Sequence, residues 1–439
     1  MVKLTGIFNQ INPTKVLVVG DLMLDTYTIG KARRISPEAP VAVLHVQREE
    51  HRPGGAGNVI LNLISLGVNV VALGRVGPDH AGDLLRQTLG AEGVSIEGIV
   101  IQSCYRTPVK NRIIADNQQV VRVDHEQVSA IPEQLEQQVI ESLPLLLDGV
   151  NVVAISDYDK GFLSRTLLTA LIEHAKQRGI PVIADPKGID FTKYQGTTVI
   201  KPNLGEAYAA ANLPMHAPLE QVAARVLQIT QAETLMVTRS EAGISLFHRD
   251  GSRHDFPVRV REIKDVTGAG DTVLATLTCV VANGLPMTAA AQLSNIAAGI
   301  AIEHFGCARV TLSELARRMV EDDIENKVFE EEHLFVLQEA LRGRQYTLLS
   351  ICSSDGLTSL IFSTIRQLAR KENRDLLVYV REASPDAEFI DLLASLCEVD
   401  FIILKSENLQ QLTQQISPEE IHAIEKGQCL PVTSLSALY

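Results

Sequence analysis

A chain of 439 residues in which 46% of side chains are hydrophobic and 21% charged has the make-up of a globular protein, long enough for two or three domains. Its net charge of −13, with Lys and Arg scattered rather than in a block, argues against nucleic acid or an anionic membrane as main partner, but leaves room for a small anionic substrate held by a few local cations. Six widely spaced cysteines without a CxxC pair, no signal-like N-terminus and no apolar run approaching a membrane span predict reduced thiols, no zinc site and a cytoplasmic location.

Residues 16–19, followed by Gly20 and Asp21, read as a buried strand of a parallel sheet ending in a turn. Asp21 and Asp25 follow at the strand's C-terminal end, the edge where open α/β sheets bind ligands. Carboxylates there can accept hydrogen bonds from sugar hydroxyls, or simply face solvent. Residues 40–47 and 107–124 alternate or carry β-branched side chains and predict a small antiparallel flap, a device that can close over a site. Between them, Gly54-Gly55-Ala56-Gly57-Asn58 opens an amphipathic helix running through Leu66. Backbone can approach a ligand closely at such a turn.

From residue 68 to 200, apolar strands at 68–73, 152–156, 182–185 and 198–200 are separated by helical stretches such as 163–177. This is the βαβ rhythm of a doubly wound sheet. Polar groups recur at the strand ends: Asp157, Asp185-Pro186-Lys187-Gly188, Lys201-Pro202-Asn203-Leu204-Gly205-Glu206 and, after a strand at 235–238, Thr238-Arg239-Ser240. Recurrence at successive ends is harder to explain by solvation than any single case. A hairpin-like region at 243–258 leads to Asp265-Val266-Thr267-Gly268-Ala269-Gly270-Asp271, and helices follow at 271–283 and 288–304. Two glycines around a small residue at a helix start leave backbone N–H groups, at the positive end of the dipole, open to an anion. Asp271 puts a carboxylate beside that anion. This is unfavourable unless the acid performs chemistry, such as taking a proton from a hydroxyl that attacks a phosphate. The local pattern is equally that of a glycine turn with an Asp at a helix start. Beyond an acidic linker at 321–344, strands at 346–352, 375–380 and 400–404 and helices at 357–371 and 386–396 predict a second, smaller α/β domain over 345–439, with 1–320 forming the first.

These motifs carry a resemblance. Residues 16 to about 320 resemble the ribokinase-like (phosphofructokinase B) family of sugar kinases, through the GGxxN stretch at Gly54 to Asn58 and the DTxGAGD loop at Asp265 to Asp271. Narrower features are similar to the heptose 7-phosphate kinases within it: Gly20 to Asp25, Arg34-Ile35-Ser36-Pro37-Glu38-Ala39-Pro40, Ser156-Asp157-Tyr158, Asp185 to Gly188, Pro202 to Glu206 and Val237-Thr238-Arg239-Ser240-Glu241. The resemblance implies a doubly wound, mostly parallel sheet with a small β flap and a smaller C-terminal Rossmann-like domain. It also implies a homodimer, with ATP and Mg²⁺ as cofactors. The reaction implied is ATP-dependent phosphorylation of D-glycero-β-D-manno-heptose 7-phosphate at O1, a step in ADP-heptose synthesis for the lipopolysaccharide core. Asp271 would be the general base, with the backbone of Gly268, Ala269, Gly270 and Asp271 as anion hole. Asn203 and Glu206 would lie near the phosphates, Glu206 supporting the metal. Thr238 and Arg239 would contact nucleotide, and Asn295 would border the adenine. Asp21, Asp25, Gly54, Gly55 and Asn58 match positions that bind sugar hydroxyls. Arg34, Lys110, Arg112 and Lys187 are candidate partners of the sugar's own phosphate. A kinase for another sugar, or a non-catalytic binding protein on this fold, are the alternatives.

The second domain departs from the pattern. Where the bifunctional enzymes of heptose metabolism carry an HxGH pair, this chain has Ser353-Ser354-Asp355-Gly356-Leu357-Thr358-Ser359 and then no histidine pair; His333 and His422 are elsewhere. Residues 345–439 are therefore expected to be a degenerate nucleotidyltransferase-like domain, retained for stability or dimerisation.

Overall fold

The computed structural model describes residues 10–116, 118–258, 263–322, 327–329, 334–370, 374–382, 384–404, 413–414, 417–425 and 428–432. Ile11–Thr311 forms one compact unit, and the described residues from Leu312 onward belong to another.

The larger unit begins with β1 (Lys15–Gly20), β2 (Leu22–Ile35), β3 (Ala42–Gly55), α1 (Ala56–Ser65), β4 (Asn69–Val76), α2 (His80–Ala91), β5 (Ser95–Ile101), β6 (Val109–Ala115) and β7 (Gln118–His125). It continues through α3 (Glu133–Leu146), β8 (Val152–Ser156), α4 (Arg165–Gln177), β9 (Val182–Asp185), β10 (Val199–Ile200), α5 (Leu204–Ala211), α6 (Leu219–Thr230) and β11 (Thr234–Thr238). The hairpin β12 (Ile244–His248) and β13 (Arg253–Phe256) then precedes α7 (Ala269–Ala282) and α8 (Met287–Ala301).

Nine strands form one sheet in the order β13-β12-β11-β10-β9-β8-β1-β4-β5. It is parallel from β5 to β11, and only β12 runs against the rest, pairing antiparallel with both β11 and β13. Unbroken apolar runs such as Val16 to Val19, each at most 1% exposed, suit strands covered on both faces. The chain leaves β1 for β4 and β5 on one side and later fills the other side with β8 to β11. The C-terminal edge of β1 is thus a topological switch point, where ligands bind in open α/β sheets. Asp21 sits there.

The flap is a separate four-stranded sheet in the order β3-β2-β6-β7. It differs from the sequence expectation in two ways. Its central pair, β2 and β6, is parallel. Also, β2 starts at Leu22 and runs through Asp25 and Thr26 to Thr28 while remaining buried, so Asp25 lies within a strand rather than a loop. Polar residues in a buried strand need tertiary partners, which local pattern does not reveal.

The smaller unit contains α9 (Leu312–Asp322), β14 (Val328–Phe329), α10 (Leu334–Leu341), β15 (Gln345–Ile351), α11 (Ser359–Ala369), β16 (Arg374–Val380), α12 (Ala387–Ala394), β17 (Phe401–Ile403), β18 (Glu420–Glu425) and β19 (Gln428–Pro431). Its sheet order is β14-β17-β16-β15-β18-β19, parallel except for the last pair. The stretch expected as a linker thus holds β14 and α10. Leu334, Leu337 and Leu341 fall on one helical face and pack with Phe329, Tyr346, Leu377 and Phe401, a stripe that the acidic composition masks. His333 and residues 323–326 lie outside the described residues. Among the described residues no helix is long and apolar enough to cross a membrane, and all six cysteines are free thiols.

Candidate active site

The start of α7 is shaped by glycine. Gly268, its N-cap, has φ 80°, and a Cβ there would come 2.7 Å from Asn58 Nδ2. A Cβ on Gly270 would meet nothing within 4 Å, so the helix end is approachable at that residue. Among the described residues the N–H groups of Gly270 and Asp271 find no acceptor, and no side chain caps the helix. The preceding loop is pinned by the Asp265 carboxylate, which accepts from Thr267 N (2.9 Å), Thr267 Oγ1 (2.7 Å) and Gly306 N (2.9 Å).

Asp271 lies in the first turn of α7 and is 3% exposed. Tyr158 Oη donates to its Oδ1 at 2.6 Å, and Asn58 Nδ2 donates to its Oδ2 at 2.9 Å. Burial pushes its pKa up to about 6, against the lowering effect of those two donors and of Lys201. Asp21, at the end of β1, accepts from Tyr158 N (2.9 Å) and Lys160 N (3.2 Å). It too is raised to about 6, by burial and then by repulsion from Asp157. Asp25, in β2, pairs with Arg112 of β6 at 2.5 Å, both side chains buried, and Cys307 Sγ lies 3.4 Å from its other oxygen. A Cβ on Gly54 would come within 2.2 Å of Asp25 Oδ2, and one on Gly55 (φ 57°) within 2.7 Å of Asp21 O. Gly54 is thus required by the Asp25 carboxylate, and Gly55 by its positive φ and the Asp21 backbone carbonyl.

A second group gathers at the ends of β9 and β10 and the start of α5. Buried Lys201 pairs with Asp185 at 3.0 Å. Burial raises Asp185 to about 7 even with that lysine beside it. Lys187 Nζ meets Glu206 Oε1 at 2.7 Å, and Glu206 Oε2 accepts from Asn203 N at 2.9 Å within a capping box. Asn203 bridges to Thr238 at the end of β11. Arg239 donates to Ala242 O (3.1 Å) and lies 3.4 Å from Asp255. Asn295 of α8 donates to Phe256 O (3.2 Å) and Pro257 O (2.9 Å).

The structure therefore joins Asp271, Asn58 and Asp21 in one network, and Asp25, Gly54 and Arg112 in another. Lys187 falls beside Glu206 rather than beside Asp21 or Asp25. Lys110 Nζ stands 6.0 Å from the Tyr158 ring, and Arg34 is exposed toward the far end of β2. Sequence reasoning assigned no role to Tyr158, Lys201 or Cys307. Tyr158 and Lys201 were signalled only by lying just past strand ends; Cys307 had no local signal.

A doubly wound sheet, a helix start with unpartnered N–H groups and a buried acid beside it define an α/β protein of the phosphoryl-transfer class. The family described as pfkB family carbohydrate kinase matches residues 13–314, and the chain belongs to that family. It is 43% identical over 353 residues to a relative named Bifunctional protein HldE from Trichlorobacter lovleyi, covering 79% of this chain and 72% of the relative. A relative of the same name from Syntrophotalea carbinolica is 37% identical over 444 residues, covering 97% and 90%. Among solved structures, the fold is similar to phosphofructokinase-2 from Escherichia coli in complex with potassium (TM-score 0.59, 19% identity, 71% of this chain and 99% of that one). It is also similar to Arabidopsis thaliana ribokinase complexed with ribose and ATP (TM-score 0.55, 16% identity, 70% and 99%).

Proposed function

We propose that this carbohydrate kinase transfers the γ-phosphoryl group of ATP to O1 of D-glycero-β-D-manno-heptose 7-phosphate in the cytoplasm, giving the 1,7-bisphosphate and ADP for ADP-heptose and lipopolysaccharide-core synthesis. The observation that carries the mechanism is the buried Asp271 carboxylate, oriented by two donors beside open N–H groups at the start of α7. Asp271 takes the proton of the attacking hydroxyl, and of the backbone of Gly268, Ala269, Gly270 and Asp271 the open N–H groups of Gly270 and Asp271 hold charge on the transferring group, Ala269 N being engaged by Val266 O. Asp21 and Asp25 bind sugar hydroxyls, Gly54 giving the Asp25 carboxylate room and Gly55 shaping the turn beside the Asp21 backbone. Asn58 acts on the sugar through Asp271, its Nδ2 being engaged there. Arg112 is the cation proposed for the sugar's phosphate; Lys187, paired with Glu206, is proposed for the nucleotide end instead. The choice of heptose rests on the motifs shared with heptose kinases and is supported by the identity to proteins named HldE.

The donor set at the nucleotide end fits Mg·ATP. The approachable helix end at Gly270 suits phosphate oxygens, and Asn203, Glu206, Thr238, Arg239 and Asn295 are proposed to line the nucleotide. Both oxygens of Glu206 are already hydrogen-bonded, so it would support the metal through water, as Mg²⁺ with its retained waters allows. Mg²⁺ would supply charge neutralisation on the phosphates.

A homodimer is proposed on β7, an edge strand of the flap that exposes Val120, Val121 and Val123; light scattering of the purified protein tests it. For residues 345–439 no nucleotidyl chemistry is proposed. Purified protein incubated with heptose 7-phosphate and ATP should yield a product heavier by one phosphoryl group in mass analysis. In a panel of sugar phosphates assayed for ADP release, best turnover with fructose 6-phosphate would remove the heptose assignment.

A further inference from the structure

We propose that Tyr158 is a positioning residue for phosphoryl transfer: its hydroxyl orients the Asp271 carboxylate while its backbone N–H orients Asp21, so that one residue sets the base against the sugar-binding acid. The proposal rests on the assignment of Asp271 as the base. Three observations carry it.

The first is the double contact itself, 2.6 Å from Oη to Asp271 Oδ1 and 2.9 Å from N to Asp21 Oδ2. Asp271 and Asp21 come from the start of α7 and just past the end of β1, and Tyr158 is hydrogen-bonded to both. The second is the rigidity of the turn that carries it. Asp159 has φ 56° and Gly161 φ 89°, and a Cβ on Gly161 would lie 2.3 Å from Ser129 O. Arg75, 1% exposed, donates to Lys160 O (2.6 Å) and Ser129 O (2.5 Å), with its guanidinium 4.1 Å from the Tyr105 ring. On the other side Asp157 accepts from Lys193 Nζ (2.5 Å) and Tyr194 Oη (2.6 Å). A hydroxyl on a turn fixed at both ends can hold a carboxylate to the tolerance that phosphoryl transfer needs. The third is direction. Burial and the neighbouring Asp271 push the Tyr158 phenol well above its ordinary range, so it stays protonated and donates to the ionised Asp271 carboxylate, which has no proton to give. Asn58 occupies the other oxygen from α1. Each oxygen keeps a lone pair for the substrate hydroxyl.

The consequence is a pH signature. A donor to the ionised form lowers a carboxylate's pKa, so loss of the Tyr158 hydroxyl should raise that of Asp271. The other groups facing Asp271 stay in place: Asn58 from α1, Lys201 beyond β10, Asp25 from β2, Asp185 at the end of β9 and Cys307 beyond α8.

The test is kcat/KM for the sugar against pH, for wild type and Tyr158→Phe, since that quantity reports ionisation of the sugar-free enzyme; it is read as the variant-to-wild-type ratio so that ionisation of the substrates cancels. The acid limb, near 6 in wild type, should move up by about one unit. The ratio should then be about three-fold lower at pH 6 than at pH 7, on top of a pH-independent loss of up to about ten-fold. KM for ATP should change little. Site-specific 3-fluorotyrosine at 158 keeps the ring shape and strengthens the donor, and should move the limb the other way. A ratio flat with pH, with the fluorinated limb unmoved, overturns the proposal and leaves the base assignment standing. Turnover retained in Asp271→Asn overturns both.

Discussion

Each of the two units is built on a mostly parallel sheet, and each has a turn that presents backbone N–H groups. Only in the larger unit are they open to a ligand. At the start of α7 the Asp271 carboxylate is held by side-chain donors from elsewhere in the chain, and the N–H groups of Gly270 and Asp271 have no acceptor among the described residues. In the smaller unit the turn after β15 is filled from within: Ser353 N and Ser354 N both donate to the Glu382 carboxylate, which follows β16. An intramolecular carboxylate has a high effective concentration and displaces a free anion of similar chemistry. A backbone anion site survives folding only where neighbouring acids are occupied elsewhere.

The largest expected effect tests the open turn. Asp271→Ala should lower turnover by about three orders of magnitude, with ATP affinity by calorimetry nearly unchanged; normal turnover would dissolve the contrast between the units. Next is Gly54→Ala. Its Cβ would lie 2.2 Å from Asp25 Oδ2, so Asp25 must shift away from Arg112. KM for the sugar should rise about ten-fold or more, with a stability loss of about 1–3 kcal/mol by thermal melting.

A third prediction concerns the price of keeping Asp271 buried. Its folded pKa of about 6 exceeds the ordinary 3.8, so ionisation opposes folding. The associated stability is present below about pH 4 and is lost as pH rises through about 6. Asp21 (about 6) and Asp185 (about 7) act with the same sign. Asp271→Asn should therefore match wild type near pH 4 and exceed it by on the order of 2 kcal/mol at pH 8. Denaturant titrations at the two pH values check this; a gap independent of pH would refute it. The smallest effect is expected from Glu382→Gln, which weakens the acceptor of the Ser353 and Ser354 amides. The smaller unit should lose about 1 kcal/mol by hydrogen exchange, while sugar phosphorylation stays unchanged. A fall in turnover would show that the second turn matters to the first.

Much of the larger sheet was readable along the chain because its strands are unbroken apolar runs with polar residues just past their ends. The flap's central strand was not. Asp25, Thr26 and Thr28 look like loop residues until β6 brings Arg112 and Asn111 against them. The helix at Leu334–Leu341 was hidden by the acids that precede it, since charge there masks an apolar stripe three and four residues apart. In the site, both glycine turns and the acids Asp21, Asp25 and Asp271 stood out because their residue types are unusual at strand and helix ends. Lys187 stood out equally, but only folding paired it with Glu206.

The sequence by itself determined the start of α7: two glycines, a small residue and an acid ahead of an apolar helix. Such a terminus is local chemistry, set by residues within one turn of each other. What the acid does was decided by tertiary structure. Its hydrogen-bond donors, Tyr158 and Asn58, lie 113 and 213 residues away along the chain. The burial that raises its pKa exists only once the sheet and helices have packed. Ionisation depends on solvent exposure and on every nearby dipole, and those are properties of the folded chain.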